Sequence, residues 1–190
     1  PACDGGARRM TLTSHPRRKS GVRRLLGLDP GLTATGWGIV DVAGSRLVHV
    51  ANGTVKSKAK DALSDRLAML HDGIRAIIEA HGPDEAAIES VFVSKDGQAT
   101  LKLGQARGVA ILAAAQAGLG VAEYAPNHIK KSVVGAGHAD KRQMMAMVTM
   151  LLPTCDPHSE HSVDALAVAI THAHGSAGAA RVAAAMGSKA

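Results

Sequence analysis

The chain has 190 residues, enough for one domain with its own core, and its apolar share of 46% predicts that most of it is globular. It holds only one Trp, one Tyr and one Phe, which argues against a general single-strand nucleic-acid binder that stacks bases on several rings. No apolar run approaches the roughly 20 residues of a membrane span, and two distant cysteines argue against a disulfide framework, so we expect a cytoplasmic protein.

The formal net charge of +6 comes largely from the N-terminal end. Residues 1–22 are rich in Arg, have no hydrophobic period and lack the apolar centre of a signal peptide. We expect a disordered basic arm over 1–22, a folded domain over 23–174, and a flexible Gly- and Ala-rich tail over 175–190. Without the arm the chain is near neutral, so overall basicity is weak support for a nucleic-acid partner.

The first buried strand, predicted over residues 25–29, ends in a carboxylate, Asp29, and Pro30-Gly31 then break the strand. An unpaired buried carboxylate is costly, so Asp29 needs a partner, and a cation is the obvious one. Three interpretations fit: a divalent-metal ligand of a nuclease with the ribonuclease-H-like fold, the first phosphate loop of an actin- or sugar-kinase-like ATPase, or a residue that only caps the turn.

The rest of the chain alternates between strand and helix patterns. Strands are predicted over 36–43, 46–55, 85–91 and 121–125, and helices over 61–81, 97–118, 126–134, 141–152 and 159–174. This order predicts an α/β fold with a mixed five-stranded sheet, in which a three-strand antiparallel meander is joined by two parallel strands and flanked by helices.

Glu89 stands near the end of the fourth predicted strand, as Asp29 does at the end of the first. If these strands are parallel neighbours, joined by the crossover through the 61–81 helix, both carboxylates emerge at the same edge of the sheet. Glu89 is flanked by apolar residues, which favours a functional role over a solvated face.

In the last helix, His161 and Asp164 are three residues apart and share a face beside an apolar stripe. Considered alone, His161 is typical of a surface histidine, and Asp164 of a first-turn acid that interacts favourably with the helix dipole. Together with Asp29 and Glu89 they form four ligands from three segments, which suits a two-metal hydrolytic site. Oxygen ligands favour Mg²⁺ or Mn²⁺, and the histidine favours Mn²⁺.

Several motifs occur in the order found in a known family. They are Leu26-Gly-Leu-Asp-Pro-Gly31 with Gly36-Trp-Gly38, Ala87-Ile-Glu-Ser-Val-Phe92, Leu101-Lys-Leu-Gly-Gln-Ala-Arg-Gly-Val-Ala110, and Asp164-Ala-Leu-Ala167 with Ile170-Thr-His172. Over roughly residues 24–174 the chain resembles the RuvC family of bacterial Holliday-junction resolvases. Any one of these motifs alone would be a weak signal, but the set is specific.

The resemblance implies a ribonuclease-H-like fold, a homodimer, and symmetric nicking of two strands of like polarity at a four-way DNA junction in recombination and repair. Asp29, Glu89 and Asp164 match the catalytic acids, and His161 takes a position where many members have a fourth acid and some a histidine. The expected cofactor is two Mg²⁺ or Mn²⁺ ions per active site, held by these four residues. The family works with the RuvA–RuvB branch-migration complex.

The candidate DNA contacts are Phe92, Lys95, Arg107, Lys130 and Lys141. Both Lys130 and Lys141 match family residues near the scissile phosphate, with a solvated face as the alternative. Phe92 matches an aromatic that stacks at the opened junction centre, with ordinary core packing as its alternative.

The helix over 97–118 is the candidate dimer face, because Gly104 and Gly108 lie one turn apart and permit close helix approach. The alternative is that this helix is simply a central buried helix. One helix can fill both roles. Among rival functions, an actin-like ATPase is disfavoured, because it needs two such domains and a second phosphate loop and this sequence has neither. Another nuclease of the same fold and a non-catalytic junction-binding protein stay open.

Overall fold

The computed structural model describes residues 20–90, 96–155 and 159–187. Its strands are β1 (Val22–Asp29), β2 (Ala34–Ala43), β3 (Arg46–Lys56), β4 (Glu85–Glu89) and β5 (Gly120–Tyr124). Its helices are α1 (Leu63–His81), α2 (Gly97–Gln116), α3 (Pro126–Val134), α4 (Lys141–Leu151) and α5 (Glu160–Gly187).

The predicted mixed five-stranded sheet is confirmed, with the strand order β3-β2-β1-β4-β5. Strands β1, β2 and β3 form an antiparallel meander, and β4 pairs in parallel with both β1 and β5. In the β1–β4 pair Leu28 lies opposite Ile88, so the next residue of each strand, Asp29 and Glu89, emerges at the same edge of the sheet.

Alternation along the strands sends both carboxylates to one face of the sheet. In β1, Leu25 packs against α5 and its neighbours, whereas Leu26 and Leu28 pack on the opposite face with residues of α1 and α2. In β4, Ala87 lies on the α5 side. Asp29 and Glu89 have the same parity as Leu25 and Ala87, so both side chains project on the side that α5 covers.

Two glycines let α5 lie directly on the sheet. A Cβ atom at Gly27 would lie 2.0 Å from the carbonyl oxygen of Ala165, and one at Gly36 would lie 1.8 Å from that of His161. Any larger side chain at these positions would push the helix away. The contact therefore depends on glycine, and it brings the first turns of α5 beside the end of β1.

Most predicted boundaries lie within two residues of the observed ones, and two differ by more. β1 begins at Val22, because the long strand β2 provides ladder partners as far as Ala43 and the Arg24 guanidinium pairs with Asp41 at 2.7 Å. The last helix does not end at His174 but continues to Gly187, over a segment rich in alanine, the best helix former. The division into an arm, a domain and a flexible tail stays a prediction.

The helices described here contain no segment that is both long and apolar enough to cross a membrane.

Candidate active site

Three elements bring the predicted acids together. Asp29 ends β1, Glu89 ends β4, and Asp164 lies near the start of α5, one turn after His161. The His161 ring nitrogen Nδ1 donates a hydrogen bond to Asp29 Oδ2 at 2.8 Å, which links α5 to the end of β1. Half of the His161 side chain is exposed, so the ring borders solvent while Asp29 is largely enclosed.

Glu89 and Asp164 are partly buried, and in the described part of the chain no hydrogen bond or ion pair reaches either carboxyl group. Burial raises the pKa of Glu89 to about 7, and repulsion from Asp29 and Asp164 adds to the rise. Burial likewise raises the pKa of Asp164 to about 6, and repulsion from Asp29 adds to it. The negative charges are therefore close enough to oppose one another, and the nearby lysines offset this repulsion only in part.

Asp29 experiences opposing effects. Burial raises the pKa of its carboxyl group above the ordinary value, while the hydrogen bond and charge of His161 and the charge of Lys141 act in the other direction. Burial wins, so the charged form of Asp29 is also disfavoured in the protein alone.

The residues fit a divalent cation in their chemistry. Carboxylate oxygens are the ligands that Mg²⁺ and Mn²⁺ prefer, and partly buried acids without partners are relieved by a bound cation. In the conformation described, no three His, Cys, Asp or Glu side chains of the described residues are close enough together to hold one ion. Binding therefore requires side-chain rotation, including at His161, which at present occupies one oxygen of Asp29.

A cavity of about 470 Å³ opens beside the acids. Glu89 and Asp164 form one side of it, Lys130 of α3 and Lys141 of α4 contribute positive charge, and the remainder is largely apolar, with Ile129 and Met144 among its lining. This combination suits a phosphate group at the acids with an apolar sugar or base surface next to it.

The two lysines at the cavity differ in their surroundings. Lys130 is half-buried, and its charge opposes the rise in the pKa of Glu89. Lys141 is exposed and forms an ion pair with Glu160, the first residue of α5. A ligand phosphate at the cavity would compete with Glu160 for Lys141.

The other predicted DNA contacts do not join this group. Arg107 lies on α2, forms an ion pair with Glu123 of β5 and is absent from the cavity lining. Phe92 and Lys95 lie outside the described residues. Their roles stay predictions.

The residues that fix the turn after Asp29 lie outside the sequence motifs. The hydroxyl group of Thr35, which is fully buried, donates to the carbonyl oxygen of Gly31 at 2.9 Å. Ser57, also buried, donates through Oγ to the carbonyl oxygen of Leu32 at 2.5 Å. In the sequence, a threonine within an otherwise apolar strand pattern is the signal that could have pointed to Thr35.

A second polar network surrounds His172, near the middle of α5 and about three turns from His161. Glu85 accepts hydrogen bonds from Arg23 and from His172, each at 2.8 Å, and Tyr124 lies 2.9 Å from the other ring nitrogen of His172. His172 is three helical turns from His161, so one face of α5 forms hydrogen bonds at both edges of the sheet. This network ties β1, β4, β5 and α5 together away from the acids.

Comparison with known proteins gives consistent matches. A family model described as Crossover junction endodeoxyribonuclease RuvC matches residues 25–172. Proteins of that name from Parvibaculum lavamentivorans and Rhodopseudomonas palustris are 58% identical over 161 residues and 60% identical over 151 residues. These alignments cover 85% and 80% of this chain, and 92% and 87% of the relatives.

Solved structures agree. The structure described as T. thermophilus RuvC in complex with Holliday junction substrate superposes with a TM-score of 0.75 at 31% identity, covering 80% of this chain and 93% of that one. The yeast mitochondrial Holliday junction resolvase, at 9% identity and a TM-score of 0.58, covers 80% of this chain and 79% of its own, and shares the fold alone. The mixed sheet with its flanking helices is thus the ribonuclease-H-like fold of the RuvC structures. On the family match and these identities, the chain belongs to the RuvC family of crossover junction endodeoxyribonucleases.

Proposed function

We propose that this chain is a structure-selective endonuclease that resolves four-way DNA junctions in recombination and repair. It hydrolyses one phosphodiester bond in each of two strands of like polarity, with divalent metal ions as cofactors. The observation that carries the proposal is the meeting of Asp29, Glu89 and Asp164 at one sheet edge, two of them without partners. Family membership and the junction named for the T. thermophilus relative support the choice of substrate.

Asp29, Glu89 and Asp164 would hold the ions, with His161 as a fourth ligand after its ring leaves Asp29. Two bound Mg²⁺ or Mn²⁺ ions would activate the attacking water and stabilise the leaving oxygen. Because the pKa of Glu89 is about 7 in the protein alone, the carboxyl group must lose its proton as a cation binds, so cation affinity rises with pH.

The chain's own side chains orient the DNA and shape the field around it. The ends of β1 and β4 hold the backbones of Asp29 and Glu89 on paired strands, which fixes the backbone spacing while the side chains rotate to bind ions. Lys130 and Lys141 border the same cavity and attract the phosphate group that the acids alone would repel. His161 limits the movement of Asp29 until the ligands are in place.

A homodimer is part of the proposal, because two symmetric cuts require two sites related by a two-fold axis. The outward face of α2 supports it. Leu101 and Leu112 are 58% and 51% exposed there, and a Cβ atom at Gly104 or Gly108 would meet nothing within 4 Å. A second copy of this face would cover the leucines. Cooperation with the RuvA–RuvB complex stays a prediction.

Nicking of a synthetic four-way junction tests the proposed function. We expect cleavage with Mg²⁺ or Mn²⁺ and none with EDTA. Asp29→Asn should reduce the rate of nicking by at least about a hundredfold, because it removes a metal ligand. It should retain junction binding, because it removes no positive charge. Asp72→Asn, a change at an exposed position of α1, should cleave like the unmodified chain.

The rival functions give different results in the same assay. A junction-binding protein without catalysis would bind the junction and leave it intact with either ion. A nuclease for another substrate would cut an RNA–DNA hybrid or a linear duplex in preference. Cleavage by Asp29→Asn at the full rate would overturn the assignment of the site.

A further inference from the structure

Three exposed lysines follow one another at the end of β3 and in the segment that leads to α1: Lys56, Lys58 and Lys60. Within the part of the chain that the structure describes, none of them forms an ion pair or a side-chain hydrogen bond. The chain after the N-terminal arm is nearly neutral, so three unpaired cations within five residues form a local positive surface.

This surface lies at the same edge of the sheet as the acids. Both β1 and β3 pair antiparallel with β2, so they run in the same direction, and Lys56 ends β3 at the edge where Asp29 ends β1. Only β2 lies between them, which puts Asp29 about 10 Å from Thr54, the residue of β3 level with it, and Lys56 follows two residues later. Phosphates along one DNA strand follow one another at about 3.4 Å of helix axis, so a strand cut at Asp29 could reach Lys58 and Lys60 within a few nucleotides.

The segment is hydrogen-bonded to the turn that follows Asp29. Ser57, between Lys56 and Lys58, donates through its backbone N–H to the carbonyl oxygen of Thr33 at 3.0 Å and through Oγ to that of Leu32. Arg66 of α1 donates to Ser57 Oγ and to Thr33 Oγ1, each at 3.0 Å. Two loops that are distant in sequence thus form one unit.

The base of this unit is apolar and fixed. Leu32 is buried against Leu70 of α1 and Ala106 of α2, both of which are at most 1% exposed. A loop held in this way presents its lysines with little loss of backbone freedom on binding, which favours affinity. Arg66 donates only to neutral hydroxyl groups, so its positive charge is retained and adds to that of the three lysines.

We propose that residues 56–60 form a phosphate-binding surface for the DNA strand that continues from the cleavage site. The inference rests on the proposed function and extends it, since Lys130 and Lys141 line the cavity next to Glu89 and Asp164, while Lys58 and Lys60 lie on the β3 side of Asp29. The strand would then cross the acids between two positive surfaces, each contributing contacts that are independent of base sequence.

Salt dependence of junction binding tests this surface. The full chain and the variant K58A/K60A are titrated against a labelled synthetic four-way junction by fluorescence anisotropy, with EDTA present so that no strand is cut. Each phosphate contact that is lost lowers the slope of log K against log salt by about 0.9, so we expect a decrease of about 1 to 2 units and a several-fold weaker Kd. The variant R46A is the matched control, because Arg46 starts β3 at the opposite edge of the sheet and is also exposed.

The results separate this surface from the activity. An unchanged slope in K58A/K60A, or an equal decrease in R46A, would overturn the proposal, provided that circular dichroism shows all chains folded. If the unmodified chain fails to nick the junction with Mg²⁺ or Mn²⁺ and K58A/K60A still lowers the slope, the surface stands and the proposed function fails. If the unmodified chain nicks the junction and K58A/K60A leaves the slope unchanged, the proposed function stands and the proposed surface fails.

Discussion

At the scale of single residues, Glu89 is a carboxyl group placed where its charge is costly. Its pKa is raised to about 7 by burial and by the neighbouring acids. The folded chain therefore holds a proton that the unfolded chain releases near pH 4.5, the ordinary value. A raised pKa gives stability at low pH that is lost as the pH rises toward 7. Metal-free protein should accordingly lose stability between these values.

The variant Glu89→Gln isolates this contribution. Its free energy of unfolding, measured by urea denaturation in EDTA, should exceed that of the unmodified chain by on the order of 2 kcal/mol at pH 8 and by much less at pH 5. Glu79→Gln, at an exposed position of α1, is the control. Adding Mg²⁺ at pH 8 should stabilise the unmodified chain more than Glu89→Gln. An advantage of Glu89→Gln that is the same at both pH values would mean that Glu89 is not destabilised by its surroundings.

At the scale of elements, the site depends on how closely α5 lies on β1 and β2. Gly36→Ala would put a Cβ atom 1.8 Å from the carbonyl oxygen of His161, so the start of α5 must move. We expect a loss of about 1–3 kcal/mol in the free energy of unfolding and at least a tenfold loss of nicking, because His161 and Asp164 leave Asp29. Gly120→Ala in β5 is the control, since its Cβ would meet nothing within 4 Å. Full nicking by a folded Gly36→Ala chain would contradict the dependence of the site on this contact.

Sequence patterns predict the elements and the sheet edge better than they predict the partners of side chains. Period-two alternation and the strand order account for Asp29 and Glu89 at one edge. The ion pair of Lys141 with Glu160 and the hydrogen bond from His161 to Asp29 depend on the docking of α5, which no local pattern records. The fastening of Ser57 to Leu32 was likewise unpredictable, because it joins two loops only after the sheet has formed.

At the scale of the whole molecule, two coordinated cuts need two sites at a fixed separation, which the proposed interface on α2 would provide. The variant L101E/L112E replaces two exposed leucines of that face with charges. A leucine buried in the interface contributes about 1.5–3 kcal/mol, and like charges across a two-fold axis repel, so we expect a monomer in analytical ultracentrifugation. The control is Met150→Glu, which is on α4 and 71% exposed, and which should leave the dimer intact.

The same variant tests whether the dimer coordinates the cuts. On a supercoiled plasmid that extrudes a cruciform, a dimer that makes both cuts in one encounter gives linear product directly. A monomer that retains its acids should accumulate nicked circles first, because the second cut waits for a second, independent encounter. Each chain holds one set of acids, so only pairing of two chains makes the cuts simultaneous. Linear product formed by L101E/L112E at the rate of the unmodified chain would therefore mean that this face of α2 does not pair the two sites.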